Sequence, residues 1–269
     1  MYKIIACDLD ETLLSHDKTI SEENIAAIKK CHEHGIKFVP TTGRGYMTVQ
    51  NTLKELGLFD QDDEYVISFN GCAISENHGN EVMEFEGMPF ELAEELYKRG
   101  QEYDVCIHVY TKDKVYAYNL NKDELRYVKG RQEVIEINEK NLDFLKGQEI
   151  AKCLYQSNDS DYLHKIEDDL KDVTADADVS YYSGRYIEFN KKGVNKGAGI
   201  KKLAEKLGVD IKDVIAIGDN YNDLSMIQAA GLGVGVNNTA EGMKHLCDVI
   251  TDADCNHSAV AEVIEKFVF

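Results

Sequence analysis

The sequence has 269 residues, enough for one large domain or two modest ones that bury a core without disulfide support. Lysine and arginine number 30 against 49 aspartate and glutamate, and the net charge of −19 disfavours nucleic acid and anionic membranes as partners. Seven cysteines without a C-x-x-C pair favour free thiols, and no apolar run has signal-peptide or membrane-spanning length, so the expected location is cytoplasmic.

Short apolar runs that end abruptly in polar or glycine residues mark the strands of a predicted parallel sheet. In chain order these runs are residues 4–7, 36–39, 65–69 and 214–217. Such runs are typical of strands that are buried on both faces. The spacers contain a predicted helix from the N-cap Ser21 to Gly35 and another through Ile200 that ends at Gly208. We therefore predict an α/β fold with a doubly wound, Rossmann-like parallel sheet.

The stretch from residue 83 to residue 187 has a different character. A predicted helix from Pro89 to about Gly100 is followed by an antiparallel hairpin of residues 105–110 and 115–118. Further strands are predicted at residues 150–155, 179–182 and 186–189. We interpret residues 83–187 as an α+β domain inserted into a core made of residues 1–82 and 188–269.

Acidic residues follow two of the predicted strands, and ligands bind at the carboxyl ends of strands in open parallel sheets. Asp8 and Asp10 are two residues apart, so an extended backbone projects both carboxylates to the same side. Asp219 and Asp223 bring more acid to another strand end. Because no His or Cys clusters with them, these carboxylates suit a hard cation such as Mg²⁺.

Donors suited to a phosphate follow other strands. Thr42 offers a hydroxyl, Gly43 offers a backbone N–H that can approach closely, and Lys196 offers an ammonium just ahead of a helix. Each feature alone is more often a turn or a helix cap. Acid for a metal together with donors for an anion indicates phosphoryl chemistry.

As a set, the motifs resemble the haloacid dehalogenase-like hydrolases, specifically the Cof-type sugar-phosphatase branch with a large cap domain. The matching stretches are Asp8-Leu9-Asp10-Glu11-Thr12-Leu13-Leu14, Thr42-Gly43-Arg44, Asn70-Gly71, Gly193-Val194-Asn195-Lys196-Gly197, Gly218-Asp219-Asn220-Tyr221-Asn222-Asp223, Asn237-Asn238-Thr239 and Asp248-Val249-Ile250-Thr251. The sequence departs from the family pattern at Glu11, where relatives usually have glycine, and at Thr41, where alanine is common. The departure at Glu11 puts the geometry of that turn in doubt.

The resemblance implies a Mg²⁺-dependent phosphohydrolase that cleaves small phosphomonoesters, with sugar phosphates expected, through an aspartyl-phosphate. It implies that Asp8 is the nucleophile, Asp10 the acid and then the base, and Lys196 the cation that neutralises the phosphate. The implied metal ligands are Asp8, the backbone carbonyl of Asp10, and Asp219, with Asp223 orienting the metal's waters or Lys196. The implied substrate-binding residues are Leu9, Thr42, Gly43, Arg44, Asn70, Gly71, Lys196 and Asn222.

Two alternatives stay open at this point: a phosphomutase of related fold, and a non-enzymatic phosphoacceptor like a two-component receiver. The length, the inserted domain and the paired Asp8 and Asp10 count against the receiver. The expected partner is a small phosphorylated metabolite. We expect the inserted domain to cover the carboxyl ends of the strands and to contact the leaving group with residues such as Tyr110 and His108, with Arg44 at the edge of the core.

Overall fold

A computed structural model describes all residues from 1 to 269. The first segment contains β1 (Ile4–Cys7), α1 (Glu22–Glu33), β2 (Lys37–Pro40), α2 (Gln50–Leu56), β3 (Tyr65–Ser68), β4 (Ala73–Glu76) and β5 (Glu81–Phe85). The middle segment contains α3 (Phe90–Gly100), β6 (Cys106–Thr111), β7 (Val115–Tyr118), α4 (Lys122–Val128), β8 (Ile135–Ile137), β9 (Ile150–Gln156), α5 (Ser160–Asp169), α6 (Lys171–Thr174), β10 (Ala177–Tyr182) and β11 (Tyr186–Lys191). The last segment contains α7 (Lys196–Lys206), β12 (Val214–Gly218), α8 (Leu224–Ala229), β13 (Leu232–Gly235), β14 (Val249–Ile250) and α9 (Ala259–Phe267).

The chain forms two compact units. The core unit consists of residues Met1–Glu84 and Asn195–Phe269, and the inserted unit consists of residues Phe85–Val194. These bounds fall later than the boundaries expected at residues 82/83 and 187/188. The second boundary moves because β11 continues to Lys191 and pairs with β9 and β10, so the whole strand belongs to the sheet of the inserted unit.

A five-stranded parallel sheet forms the centre of the core unit, in the order β14-β13-β12-β1-β2. Successive residues of β1 enter two different hydrophobic clusters: Ile5 and Cys7 pack with α1 and α9, whereas Ile4 and Ala6 pack with α7. Since both faces of the sheet are buried under helices, near-continuous apolar strands are what this position requires. The predicted doubly wound α/β core is confirmed.

The first predicted helix begins where its capping residue stands. The Ser21 hydroxyl accepts a hydrogen bond from the backbone N–H of Asn24 at 3.2 Å, and two glutamates lie in the first turn. Ala27, Ile28 and Cys31 form the buried stripe. The helix ends before Gly35, whose φ of +72° suits glycine.

The third apolar run does not join the parallel sheet, contrary to the prediction. β3 pairs antiparallel with β4 in a separate sheet of order β3-β4-β5, and a single bridge from Thr41 to Ile67 links it to the end of β2. The chain reverses because Phe69, Asn70 and Gly71 all take positive φ, at +51°, +57° and +97°. This tight reversal returns the next strand alongside β3 instead of into a crossover helix.

The inserted unit has a six-stranded sheet of order β10-β11-β9-β6-β7-β8. The hairpin of β6 and β7 pairs antiparallel as predicted, and the other predicted strands and the helix after Pro89 also form. Alternate residues such as Ile107, Val109, Cys153 and Tyr155 enter a separate hydrophobic core with α3 and α5. The predicted α+β character of this segment is confirmed.

All seven cysteines are free thiols, as predicted, and six of them are buried. The cysteines serve as core residues and not as disulfide partners, because a buried thiol behaves as a small apolar side chain. None of the helices combines the length and apolar composition that crossing a lipid bilayer requires.

Candidate active site

Three aspartates converge at the carboxyl ends of two neighbouring strands in the core unit. Asp8 follows β1 and Asp219 follows β12, and these strands are paired so that Cys7 lies opposite Ile217. Asp223 lies in a short 3-10 turn after Asp219. Each of the three buried aspartates contributes a carboxylate oxygen, and these oxygens lie within 4.8 Å of one another. The parallel sheet therefore gathers the acid that the sequence predicted from two separate motifs.

Lys196 is the cation of this cluster. It is the first residue of α7, whose N-cap Asn195 accepts a hydrogen bond from the backbone N–H of Ala198 at 2.9 Å. Its side chain is fully buried, and Nζ donates to Oδ1 of Asp8 and to Oδ1 of Asp223, both at 2.5 Å. The sequence placed Lys196 just ahead of the helix, and the structure places it inside the first turn.

Asp223 and Asp219 also accept hydrogen bonds from neighbouring groups of the core unit. Oδ2 of Asp223 accepts from the backbone N–H groups of Asp219 and Asn220, at 3.0 and 3.1 Å. The Thr12 hydroxyl donates to Oδ1 of Asp219 at 3.0 Å. Gly218 permits this arrangement, because a Cβ at that position would lie 2.5 Å from the Asp223 side chain. The carboxylates are thus oriented before any ligand arrives.

When its three carboxylates are ionised, the cluster carries two more negative charges than Lys196 neutralises. Burial raises the pKa of Asp8 above its ordinary value, and the neighbouring Asp223 and Asp10 add to this effect against the opposition of Lys196. Burial likewise raises the pKa of Asp219, and Asp223 and Asp8 reinforce the shift. Lys196 has a raised pKa because the two carboxylates that it contacts outweigh the effect of its own burial. Three buried carboxylates against one ammonium are a donor set that fits a hard divalent cation.

Asp10 lies outside this cluster and has its own cations. Arg44 donates from Nε to Oδ2 of Asp10 at 2.7 Å and from its terminal nitrogen to Oδ1, and Lys18 Nζ lies 3.1 Å from Oδ1. Burial of Asp10 opposes ionisation, but the Arg44 and Lys18 cations outweigh it and hold the pKa of this carboxyl below its usual value. Arg44 was expected at the edge of the core, available to substrate; in this structure its guanidinium is paired with Asp10.

The predicted phosphate-binding residues lie on two turns that contact each other. Thr42 follows β2, and its hydroxyl accepts a hydrogen bond from the backbone N–H of Arg44 at 3.1 Å. Gly43 lies against Asn70, since a Cβ at Gly43 would come within 3.0 Å of the Asn70 side-chain oxygen. Gly71 lies against the backbone of Asn195, where a Cβ would come within 2.2 Å of the carbonyl oxygen. Only glycine allows the turn after β3 to approach the start of α7 so closely.

Two other predicted substrate-binding residues, Leu9 and Asn222, do not lie on these two turns. The Leu9 side chain is fully buried in the hydrophobic core, so only its backbone can serve a ligand. Asn222 is half-buried in the turn beside Asp223. Sequence reasoning assigned no role to Thr12, although it lies in the first motif, and it missed Lys18, which no local pattern distinguishes from other lysines.

The inserted unit has an unusual polar face of its own. On β6, β9 and β11, the residues that point away from the hydrophobic core are mostly polar and nearly all buried: His108, Tyr110, Lys152, Gln156, Tyr186, Glu188 and Asn190. Lys152 donates to Glu188 at 2.6 Å, and Tyr110 hydrogen-bonds with Gln132. Burial and the Lys152 cation lower the pKa of His108 to about 3, so this ring is neutral. Buried polar side chains in such number are expensive for stability and mark candidate functional positions.

Comparison with known proteins gives consistent results over the whole chain. A family model described as haloacid dehalogenase-like hydrolase matches residues 5–264. The chain is 29% identical to 5-amino-6-(5-phospho-D-ribitylamino)uracil phosphatase YcsE of Bacillus subtilis, over 99% of this chain and 96% of that protein. A haloacid dehalogenase-like hydrolase from Bacteroides thetaiotaomicron superposes with a TM-score of 0.82 at 30% identity, covering 99% of each chain. Another from B. subtilis superposes with a TM-score of 0.89 at 23% identity, over 99% of this chain and all of that one, which is a likeness of fold.

Proposed function

We propose that this chain, which belongs to the haloacid dehalogenase-like hydrolases and is a phosphatase of that family, hydrolyses small phosphomonoesters of sugars or sugar alcohols with Mg²⁺ as cofactor and Asp8 as nucleophile. The observation that carries this proposal is the fully buried Lys196, whose Nζ lies 2.5 Å from both Asp8 and Asp223 beside the third carboxylate of Asp219. A carboxylate is a weak nucleophile, so its reaction with phosphorus depends on neutralising the charge of the phosphate.

The metal and Lys196 are the two proposed sources of positive charge for the phosphate. Asp8, Asp219 and Asp223 would hold the metal, with the backbone carbonyl of Asp10 as the further ligand that the family resemblance implies. When bound, Mg²⁺ supplies positive charge to the oxygens of the phosphoryl group. Lys196 supplies a second positive charge that is already in place, so little reorganisation is needed as the reaction proceeds.

Asp8 attacks phosphorus and displaces the alkoxide of the sugar, which gives an aspartyl-phosphate on Asp8. Asp10 gives a proton to the departing alkoxide and later takes one from the water that hydrolyses the aspartyl-phosphate. Its contacts with Arg44 and Lys18 favour the ionised form that the second step uses. Thr42 and the backbone of Gly43 are the proposed donors to the phosphate oxygens.

The proposed substrate class rests on the net charge of the chain and on the named relative. YcsE is named for a phosphate carried on a ribityl chain, a small polyol phosphate. The net charge of −19 disfavours polyanionic substrates such as nucleic acids. We therefore propose a small phosphorylated metabolite as the substrate.

Replacement of the proposed nucleophile tests this assignment. We expect Asp8→Asn to keep the fold but to lower turnover of p-nitrophenyl phosphate by a factor on the order of 10⁶, to background, because the amide is not a useful nucleophile. The matched control is Asp17→Asn, an exposed aspartate on the same segment, which should leave turnover unchanged. A tenth of the original activity in Asp8→Asn would reject the proposal.

Product analysis separates hydrolysis from the related chemistries. With a hexose 1-phosphate and Mg²⁺, we expect free hexose and inorganic phosphate to accumulate in equal amounts over many turnovers. Formation of the hexose 6-phosphate would indicate a mutase. A single equivalent of phosphate transferred to the protein without turnover would indicate a phosphoacceptor.

A further inference from the structure

Beside the turn that carries Asp8 and Asp10, the core unit gathers a second, chemically different set of ligand atoms. Oε2 of Glu11 contacts Nδ1 of His16 and lies 4.0 Å from Sγ of Cys255, and the three ligand atoms all lie within 4.8 Å of one another. We propose that Glu11, His16 and Cys255 form a binding site for one thiophilic divalent cation of the Zn²⁺ class, separate from the carboxylate cluster.

The set of donors determines the class of cation. One thiolate, one imidazole and one carboxylate suit Zn²⁺ or a similar borderline-soft ion, whereas Mg²⁺ requires oxygen ligands. Metal–ligand distances of about 2.0–2.3 Å in a tetrahedron separate the ligand atoms by roughly 3.3–3.8 Å. The observed cluster is close to that size. His16 is 61% exposed, so its side chain can adjust, and solvent water would complete the coordination of the ion.

The Glu11 carboxylate is already oriented for this role. Its Oε1 accepts a hydrogen bond from Lys18 at 3.1 Å, which leaves Oε2 directed at His16 and Cys255. One carboxylate and one thiolate neutralise a divalent charge, so the partly buried site does not hold an unbalanced ion. Lys18 keeps its contact with Asp10 and needs no new partner.

Two asparagine side chains tie the three ligands together, although they come from distant parts of the chain. Asn238 donates to the carbonyl oxygen of Glu11 at 2.7 Å and accepts from the backbone N–H of Cys255 at 2.9 Å. The backbone N–H of His16 donates to the side chain of Asn256 at 3.1 Å. Such outer hydrogen bonds fix the positions of metal ligands.

Glu11 is also one of the two positions, with Thr41, at which the sequence departs from the family pattern described above. It takes a φ of +61°, a conformation that glycine adopts easily and other residues adopt rarely. A glycine would offer no ligand, so the proposed site depends on this chain's own residue. On binding, the S–H bond of Cys255 breaks as the metal–sulfur bond forms, the proton passes to solvent, and no oxidation state changes.

A Cd²⁺ titration of the full chain tests the site without relying on activity. Excess Mg²⁺ is kept present to occupy the carboxylate cluster, and the sulfur-to-cadmium charge-transfer absorption reports thiolate ligation alone. We expect the band to saturate at one Cd²⁺ per chain and Zn²⁺ to displace it. Cys255→Ser should abolish the band, while Cys247→Ser, at the one cysteine that is not buried, should retain it.

The role of the His16 imidazole is tested by replacing exposed histidines, whose removal should not affect folding. His16→Ala should weaken Cd²⁺ and Zn²⁺ binding by about tenfold or more. Removing a hydrogen-bond partner of a metal ligand already lowers affinity by about that factor, and removing the ligand itself should lower it at least as much. The matched control is His257→Ala, because His257 is 75% exposed and contacts Asp254 at 2.6 Å but lies outside the cluster. A band that survives in Cys255→Ser, or equal weakening by the two histidine variants, would overturn the proposal. Near-ultraviolet circular dichroism of each variant verifies the fold.

Discussion

Burial of Asp219 beside two other carboxylates lowers the stability of the metal-free protein. It is buried with Asp223 and Asp8, and its pKa lies above the ordinary value. A carboxyl whose pKa is raised on folding favours the folded state below its unfolded pKa, and this contribution is lost as the pH rises through the folded pKa. The metal-free protein should therefore lose stability from mildly acidic toward neutral and alkaline pH on account of this group.

Asp219→Asn should remove that penalty. In excess EDTA at pH 8, we expect the variant to have a melting temperature about 2–4 °C above that of the unchanged protein, while its amide oxygen still accepts the Thr12 hydrogen bond. With Mg²⁺ added, the order should reverse, because only the unchanged protein gains from binding the ion. Thermal melts at pH 5 and pH 8, with and without Mg²⁺, measure both effects. A lower melting temperature for the variant in EDTA would show that the carboxylates do not repel each other.

The contact between Arg44 and Asp10 predicts how the reaction depends on pH. Since Arg44 and Lys18 lower the pKa of Asp10 despite its burial, Arg44→Gln should let that pKa rise. An alkyl phosphate needs a proton on its leaving oxygen, so the pH above which its kcat/KM falls should move upward in the variant. An aryl phosphate leaves without protonation and is the internal control. Identical shifts for both substrates would remove Asp10 from the role of acid.

At the scale of secondary structure elements, the turn after β3 and the start of α7 depend on each other. Gly71 has a φ of +97°, and a Cβ there would lie 2.2 Å from the carbonyl oxygen of Asn195, next to Lys196. The added methyl group would push the backbone of Asn195 away and displace Lys196 with it. We therefore expect Gly71→Ala to lower turnover of p-nitrophenyl phosphate by about tenfold or more. It should also lower the stability by about 1–3 kcal/mol or more.

Gly57→Ala is the matched control for this variant. Gly57 caps α2 with a φ of +73°, but nothing lies within 4 Å of a Cβ at that position. The control therefore carries the backbone strain without the close contact, and it should lower the melting temperature with little change in turnover. If the two variants had equal activity, the close approach of the two elements would not matter for Lys196.

At the scale of the whole molecule, the two units have separate hydrophobic cores, and we expect them to have separate tasks. The three clustered aspartates and Lys196 lie in the core unit, and we expect substrate choice to depend on the polar face of the inserted unit. Tyr110→Phe and His108→Asn should alter the ratio of kcat/KM among sugar phosphates while leaving p-nitrophenyl phosphate turnover nearly unchanged. Tyr116→Phe, a buried tyrosine on the core side of the same sheet, is the control. Unchanged ratios in both variants would exclude these residues from specificity.

The metal requirement is also a property of the whole protein. We expect activity to vanish in EDTA and to return with Mg²⁺, while Ca²⁺ restores it poorly because its larger and looser coordination shell misplaces the phosphate. Steady-state rates after removal of metal and addition of each ion measure this. Full activity in excess EDTA would contradict the proposed role of the three aspartates.

The sequence alone determined the features that are local along the chain. Apolar runs of four residues that end in Asp8 or in Gly218-Asp219 predicted β1 and β12, and Ser21 and Gly35 predicted the ends of α1. These signals are local because periodicity and capping depend on neighbouring residues. The run at residues 65–69 lies in an antiparallel sheet and not in the predicted parallel one, since a short apolar run has the same pattern in either pairing. The conformation of Asn70 and Gly71 decided the pairing.

Tertiary structure alone decided which charges meet. Among 30 basic and 49 acidic residues, nothing local indicates that Lys196 contacts Asp8 across 188 positions, or that Arg44 and Lys18 both contact Asp10. The same holds for Cys255 and Glu11, which are 244 positions apart. Side chains of one type are equivalent in sequence and differ only in where folding of the hydrophobic cores places them. The sequence therefore determined which residue types the chemistry uses, and packing determined their partners, their burial and the direction of their pKa shifts.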